Sequence, residues 1–338
     1  MKPIVSGFIL MSGALRVQDL EARRGEKIVG YLRISEKPAG PHRIPMMLVN
    51  GAGDGPTLVI NGGEHGSEYN GPAGCLAVMK EIDPTELNGR VIIVPMVNTL
   101  AFEARWMHGN PVDYRDLTGC YVEEMPMGGS GVPKISYQVA TTFHREVLSW
   151  ADYRLNLHGG DLEEDLLTGT MYRMTGDEAR DEQNLALCRA FGYEWIRESL
   201  PRPGANQGTS LRFPMTVGTE AGGMGRCQSD VVVGVVRGIY NVMRYLGMIE
   251  GKPEIPPRAR VYNPYHLYAK RGGFFISNVR AGDIVSEGDI LGVIKDLFGE
   301  NLEEIVVPTN GFVHMVTSPA IYEGDVVYEI GKNIREID

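Results

Sequence analysis

The sequence lacks long apolar runs, paired cysteines and an excess of basic charge. No run approaches the about 18 consecutive apolar residues of a membrane-spanning helix. With 33 Lys and Arg against 43 Asp and Glu, the net charge of -10 disfavours binding to nucleic acid or to an anionic membrane. No Cys-x-x-Cys pair occurs, so we expect reduced, mostly buried thiols rather than a disulfide framework; the cysteines are Cys75, Cys120, Cys188 and Cys227.

The amino-terminal residues also lack an apolar segment followed by a small-residue cleavage site, so we expect a cytoplasmic protein. What the chain does have is the composition of an ordinary globular protein, 43% apolar and 22% charged, over 338 residues. This length allows one large domain and a small one. We place them at residues 1–252 and 258–338, separated by a stiff proline-containing linker at 252–257.

A glycine-rich loop at residues 62–72 contains His65 and Glu68. The apolar run 57–61 before it is typical of a buried strand, and residues 73–82 after it are typical of a helix that Pro72 opens. Both side chains therefore lie where a strand ends and a helix begins, which is where open α/β sheets bind ligands. An imidazole and a carboxylate at this spacing can share one zinc ion, although a solvated polar turn is the alternative.

Two further polar residues end predicted strands. His158 ends the strand at 152–158 and precedes two glycines, so it is a candidate third metal ligand; a structural histidine is the alternative. Glu220 follows the strand at 215–219, where a carboxylate can act as a general base. Its alternative role is to interact with the dipole of the helix predicted at 230–247.

The remaining pattern predicts a β-rich entry, a central α/β region and a β-rich end. A long irregular loop is predicted at 99–133 and an amphipathic helix at 135–150. The acidic run 161–165 is predicted to be a solvated loop; if it faced the cleft instead, it would favour a substrate with a cationic amine. The other predicted strands are 6–11, 28–34, 44–49, 91–95, 273–279, 290–294, 304–307, 311–316 and 326–330.

Together these motifs resemble the succinylglutamate desuccinylase/aspartoacylase family over nearly the whole chain. The resemblance lies in the His65-Gly66-Ser67-Glu68 loop, the strand that ends in His158 and the strand that ends before Glu220. It implies an α/β fold with a zinc-carboxypeptidase-like mixed sheet flanked by helices. It also implies a small all-β C-terminal barrel-like domain similar to biotinyl/lipoyl-carrier domains, but without a lysine at the hairpin tip to act as a carrier.

The resemblance further implies one Zn²⁺ per chain, held by His65, Glu68 and His158. Glu220 matches the family's general base, and Arg105 matches the arginine that polarises the scissile carbonyl. The implied activity is hydrolysis of a small N-acylated amino acid or a related amide. A small-molecule substrate and a homo-oligomer are the partners we expect.

One family motif is incomplete. Members usually carry Asn-Pro-x-Ala-Phe, then Arg, then Asp-x-x-Asp-Leu-Asn-Arg, whose Asn-Arg pair binds the substrate carboxylate. This chain keeps Asn98 but has Thr118-Gly119 in place of that pair, which removes a bidentate guanidinium. Asn98, Arg115 and Thr118 are the predicted substrate-binding residues, with Arg173 and Arg212 as further candidates.

Two other functions fit the same residues. A metallocarboxypeptidase acting on small peptides would use the same metal site, although the C-terminal domain could restrict entry to the cleft. A zinc-containing binding protein that has lost catalysis along with its Asn-Arg pair is the other alternative. The presence of Glu220 disfavours it, because such a protein does not need a base at that position.

Overall fold

The computed structural model describes residues 13–122, 134–200 and 213–338. Its helices are α1 (Asn70–Glu81), α2 (Thr99–Ala104), α3 (Ile135–Glu146), α4 (Glu178–Phe191) and α5 (Ser229–Tyr245). Its strands are β1 (Leu15–Val17), β2 (Leu20–Ala22), β3 (Glu26–Lys37), β4 (Gly40–Asn50), β5 (Gly53–Gly62), β6 (Asn88–Val94), β7 (Tyr153–His158), β8 (Asp165–Leu166), β9 (Gly169–Arg173), β10 (Trp195–Ser199), β11 (Met215–Glu220), β12 (Ala259–Tyr268), β13 (Gly273–Ser277), β14 (Ile284–Val285), β15 (Ile290–Lys295), β16 (Asn301–Val306), β17 (Gly311–Val316), β18 (Ala320–Ile321) and β19 (Val326–Ile337). In the described part of the chain, no helix has the length and apolar character needed to span a membrane.

Most strands join one large mixed sheet in the order β14-β17-β19-β12-β10-β9-β11-β7-β5-β6-β4-β3. In its middle, β6, β5, β7 and β11 run parallel, so their carboxyl ends reach the same edge. The register pairs Glu220 at the end of β11 with His158 at the end of β7, and His65 follows the end of β5. The predicted mixed sheet with flanking helices is confirmed.

The central strands are buried on both faces. Leu58 and Ile60 of β5 pack in one core cluster with residues of α1, α4 and α5, whereas Val59 packs in a second cluster with residues of β4 and α3. Covering both faces explains why the strand is continuously apolar, and each fully buried side chain of this size contributes about 1.5–3 kcal/mol. Cys75 and Cys188 lie in the first cluster as unpaired, buried thiols.

The prediction of one irregular loop over 99–133 is wrong at its start, because α2 occupies Thr99–Ala104. A helix of six residues is too short to show a helical period. Its start is nevertheless marked by Asn98, whose side chain accepts a hydrogen bond from the backbone N–H of Ala101. Residues 123–133 of the predicted loop lie outside the described residues.

The large sheet continues into the C-terminal region, since β10 pairs in parallel with β12 and β12 pairs antiparallel with β19. A second sheet, β16-β15-β13-β18, packs against these strands. Phe275, Leu291, Val313 and Ile330 from the two sheets share one hydrophobic cluster. The region is therefore all-β, as expected, while a closed barrel and the domain boundaries stay predictions.

Candidate metal centre and active site

The structure brings together the three residues predicted as metal ligands. Glu68 Oε1 lies 2.5 Å from His65 Nδ1, and Glu68 Oε2 lies 2.9 Å from His158 Nδ1. Possible ligand atoms of the three side chains lie within 4.8 Å of one another, and all three residues are buried. Two nitrogen donors and one carboxylate are therefore gathered at the common edge of β5 and β7.

The loop that presents His65 and Glu68 needs glycine at two positions. Gly63 has a φ of +66°, and a Cβ there would lie 2.2 Å from the sulfur of Met96. A Cβ on Gly66 would lie 2.4 Å from the backbone carbonyl carbon of Ala101 in α2. Only glycine fits this left-handed turn and this close approach, so the glycine density of the loop has a structural cause.

Glu64, which the sequence did not single out, lies directly behind His158. Its carboxylate accepts hydrogen bonds from Arg154 (2.7 Å), Asn156 (3.0 Å) and the Tyr121 hydroxyl, and Oε2 lies 3.3 Å from His158 Nε2. Burial opposes ionisation, but Arg154 and His158 hold the pKa of Glu64 well below its usual value. A carboxylate behind a ligating imidazole fixes the orientation of the ring.

Asp116 has the same place behind His65, with Oδ1 3.4 Å from His65 Nε2. The backbone N–H of Thr118 and its hydroxyl both donate to this carboxylate, the hydroxyl at 2.6 Å. Thr118, predicted as a substrate-binding residue, thus positions Asp116 in this structure. Both histidines of the cluster therefore have a carboxylate behind them.

The cluster fits a divalent cation. Burial opposes the charge of Glu68, but the two histidines lower its pKa to about 2. Burial likewise opposes the charge of His158, yet Glu68 and Glu64 raise its pKa to about 10. The charges of this buried group therefore favour a cation between the three side chains. Two nitrogens and one carboxylate oxygen are also a typical donor set for catalytic zinc.

Glu220 lies beside this cluster, paired in register with His158 across β7 and β11. Burial and the nearby charge of Glu68 raise the pKa of Glu220 to about 8, although His158 and Arg197 act in the opposite direction. A bound cation would lower this pKa towards neutral pH. A carboxyl group with a near-neutral pKa is suited to accept and return a proton.

Asn98 and Arg115 have structural partners. The amide of Asn98 donates to the carbonyl oxygens of Glu64 (3.2 Å) and Gly109 (2.9 Å), and its side chain is almost fully buried. These bonds fit a residue that shapes the metal-binding loop rather than one that contacts a ligand. Arg115 is exposed, and its guanidinium stacks on Tyr137.

Arg105, Arg173 and Arg212 are the three remaining candidate arginines. Arg105 ends α2 with a φ of +54°, is exposed, and has no side-chain partner within the described residues. Arg173 is exposed at the end of β9, and Arg212 lies outside the described residues.

His108 lies next to the cluster and was not identified from the sequence, whereas Asp161 and Glu164 belong to the acidic run 161–165, for which a position facing the cleft was the alternative. The prediction of a solvated loop over 161–165 is wrong for Asp161, which is 0% exposed. His108 connects this loop to the metal centre, because its ring centroid lies 4.7 Å from that of His65 and its Nδ1 lies 3.2 Å from Asp161 Oδ2.

A cavity of about 510 Å³ lies on the same face of the sheet. Asn156 and Gly218 line it, and they precede His158 and Glu220 by two residues each on β7 and β11. Side chains two residues apart on a strand point to the same face of the sheet. Asn156 and His158, and likewise Gly218 and Glu220, therefore share a face, and the cavity adjoins the candidate site. Three arginines, Arg173, Arg180 and Arg197, also line it.

The chain is similar to known proteins over most of its length. A model of the succinylglutamate desuccinylase/aspartoacylase catalytic domain matches residues 54–246, which include His65, Glu68, His158 and Glu220. The N-alpha-acetyl-L-2,4-diaminobutyric acid deacetylase of Halomonas elongata is 26% identical over 284 residues, covering 79% of this chain and 80% of that protein.

Solved structures agree with this match. The succinylglutamate desuccinylase/aspartoacylase of Rhodobacter sphaeroides superimposes with a TM-score of 0.80 and 27% identity, covering 92% of this chain and 96% of the other. The product-bound ectoine utilization protein EutE (DoeB) of Ruegeria pomeroyi gives a TM-score of 0.82 at 23% identity, covering 95% and 99%. At 23% identity, the similarity to the Ruegeria pomeroyi protein shows a shared fold only.

Proposed function

The chain belongs to the succinylglutamate desuccinylase/aspartoacylase family, and we propose that it is a zinc-dependent hydrolase that removes the acyl group from a small N-acyl amino acid. The observation that carries the proposal is the buried cluster of His65, Glu68 and His158 with Glu220 next to it. The similarity to a deacetylase supports the same reaction class.

Zn²⁺ held by His65, Glu68 and His158 would supply a Lewis acid that polarises the acyl carbonyl and makes water more acidic. The chain's own contribution is orientation. Glu64 and Asp116 face the outer nitrogens of the two histidines, so that their Nδ1 atoms point at Glu68.

Glu220 would transfer the proton from the attacking water to the leaving nitrogen. Its carboxylate accepts a proton from the attacking water, whose oxygen forms the new bond to the acyl carbon. The carbon–nitrogen bond then breaks, and Glu220 delivers the proton to the leaving nitrogen, so that a carboxylic acid and a free amine form. The remaining proton of the acid then passes to the amine, which leaves a carboxylate and an ammonium group. Arg105, exposed and without a described partner, is the proposed hydrogen-bond donor to the oxyanion, and Arg115 is the proposed contact for a substrate carboxylate.

The first substrate to test is an N-acetylated diamino acid, because this is the compound named for the Halomonas elongata relative. A cytoplasmic location and a homo-oligomer stay predictions.

The deciding experiment measures metal content and hydrolysis together. Elemental analysis of the purified protein should find about one zinc per chain in wild type and in His266→Ala, a histidine of β12 in the C-terminal region, but none in His158→Ala. Wild type should release acetate from N-acetyl amino acids and leave peptides with free C-termini intact. Absence of metal from wild type after zinc is supplied would remove the basis of the proposal, and cleavage of the peptides instead would favour the carboxypeptidase alternative.

A further inference from the structure

Asp161 is a buried carboxylate with unused hydrogen-bonding capacity beside the metal centre. Its Oδ1 accepts a hydrogen bond from the backbone N–H of Leu162 at 2.8 Å. Its Oδ2 makes no well-formed hydrogen bond within the described residues, although His108 Nδ1 lies 3.2 Å away. A buried carboxylate oxygen without a hydrogen bond is costly, so this atom is suited to bind an added donor.

The loop that holds Asp161 is fixed to the loop that follows Glu220. Backbone N–H groups of Gly160 and Met224 donate across the two loops, to Gly222 at 2.6 Å and to Glu164 at 2.9 Å. The backbone N–H of Asp161 donates to the carboxylate of Glu164 at 3.0 Å. The two acidic side chains are therefore held in place by the same backbone contacts that fix the end of β11.

The charges of the site leave these two carboxylates uncompensated. A divalent cation is balanced by Glu68 and Glu220, and Glu64 is paired with Arg154. Asp116, Asp161 and Glu164 remain. Asp116 faces His65 and accepts hydrogen bonds from Thr118, whereas Asp161 and Glu164 both interact electrostatically with Glu68. Burial and this repulsion raise the pKa of Asp161 to about 6 despite the nearby His108, so a cation bound beside Asp161 would stabilise its charged form.

We propose that Asp161, Glu164 and His108 form a subsite for a substrate ammonium group, so that the enzyme selects N-acyl diamino acids. This inference rests on the proposed function and names the residues that recognise its substrate. The subsite adjoins the catalytic centre because the ring of His108 packs against that of His65. His108 is half exposed, and its Nε2 would accept a hydrogen bond in the tautomer that carries the proton on Nδ1.

The test compares two substrates that differ only in this charge. Nα-acetyl-2,4-diaminobutyrate and Nα-acetylnorvaline have side chains of equal length, ending in an ammonium and a methyl group respectively. A charged hydrogen bond in a buried site should give wild type about a 10- to 100-fold higher kcat/KM for the first.

Asp161→Asn keeps the size and the Oδ1 acceptor but removes the charge. It should reduce the ratio of kcat/KM for the diaminobutyrate compound to that for the norvaline compound at least about tenfold. Glu164→Gln should also reduce this ratio. Glu163→Gln is the matched control, because it removes an equal charge from the same loop, where Glu163 contacts Ser318 instead of Asp161. The control should keep the wild-type ratio. An unchanged ratio in both Asp161→Asn and Glu164→Gln, or an equal loss in the control, would overturn the subsite.

Calorimetric binding separates this inference from the proposed function. Zinc-loaded Glu220→Gln should bind Nα-acetyl-2,4-diaminobutyrate more tightly than Nα-acetylnorvaline, and adding Asp161→Asn should abolish the difference. If wild type hydrolyses neither compound while this binding preference is found, the subsite stands and the reaction class is wrong. If both compounds are hydrolysed equally well, the reaction class stands and the subsite is wrong.

Discussion

Single side chains at the ends of β5, β7 and β11 provide the proposed chemistry, and each depends on a neighbour. Glu220 is not a ligand of the cluster, but its burial beside Glu68 gives it the raised pKa of a base. His65 depends on Asp116, whose carboxylate faces the Nε2 atom of the ring. Asp116 is partly exposed, so it can be replaced without opening the core.

Replacement of the base should separate metal binding from turnover. In Glu220→Gln the amide cannot accept a proton, so kcat should fall by about 10²- to 10⁴-fold while zinc content stays at the wild-type value. Acetate release and elemental analysis on the same sample measure both quantities. A variant that keeps wild-type turnover would show that another group is the base.

Removal of the charge behind His65 should weaken the metal site without emptying it. Asp116→Asn keeps an acceptor for Thr118 but loses the carboxylate that faces His65 Nε2, so zinc affinity should fall by about 10- to 100-fold. Competition with a chelator measures the change. Thr118→Val, which removes one hydrogen bond to Asp116 but leaves its charge, should have a smaller effect; an equal or larger effect would contradict this role of the charge.

At the scale of elements, the packing of α5 on α4 depends on one glycine. A Cβ on Gly238 would lie 2.1 Å from the ring of Phe191, so the two helices approach closely at this point. On the same helix, a Cβ on Gly234 would lie 3.4 Å from Tyr193, an ordinary contact distance.

These two glycines give a matched pair of alanine variants. Gly238→Ala should lower the free energy of unfolding by about 1–3 kcal/mol, because the added methyl group overpacks the interface. Gly234→Ala should raise it by up to about 1 kcal/mol, because alanine is the better helix former. Urea unfolding of both variants measures the difference, and a stabilising Gly238→Ala would mean that the helices separate easily.

The sequence was sufficient to predict elements whose signal is local. The strand that ends at His158 is followed by two glycines, and the apolar run 57–61 marks β5, so the predicted metal ligands could be placed at the strand ends where the structure has them. The sequence left open whether Asp161 is solvated or faces the cleft, because its position depends on loops from distant parts of the chain that bring His108 and Gly222 next to it. Glu64 was missed for a similar reason, since it lies in a loop and its partner Arg154 lies on β7, 90 residues further along the chain.

At the scale of the whole molecule, a largely buried polar cluster joins β10 to the C-terminal strands of the large sheet. Arg197 of β10 forms a bidentate pair with Glu329 of β19, at 2.8 and 2.5 Å. His266 lies 2.9 Å from the same carboxylate, and His314 hydrogen-bonds the Tyr262 hydroxyl at 2.9 Å. Burial lowers the pKa of His314 to about 4, so this imidazole is neutral in the folded protein at neutral pH.

This histidine should make stability depend on pH. The unfolded chain, with a histidine pKa of 6.5, binds one more proton than the folded chain between that value and about 4. The free energy of unfolding should therefore fall as pH decreases through this window, by up to about 1.4 kcal/mol per pH unit from this group. Denaturant unfolding of wild type and His314→Gln across the window should show a shallower slope in the variant; equal slopes would show that His314 does not titrate as inferred.

The parallel pairing of β10 with β12 also determines what the C-terminal region does for solubility. Without residues 258–338, β10 would become the last strand of the large sheet and would expose a row of unpaired backbone N–H and C=O groups. Such an edge is a template for pairing with other chains. The C-terminal strands therefore protect the catalytic region from self-association, whatever they contribute to substrate binding.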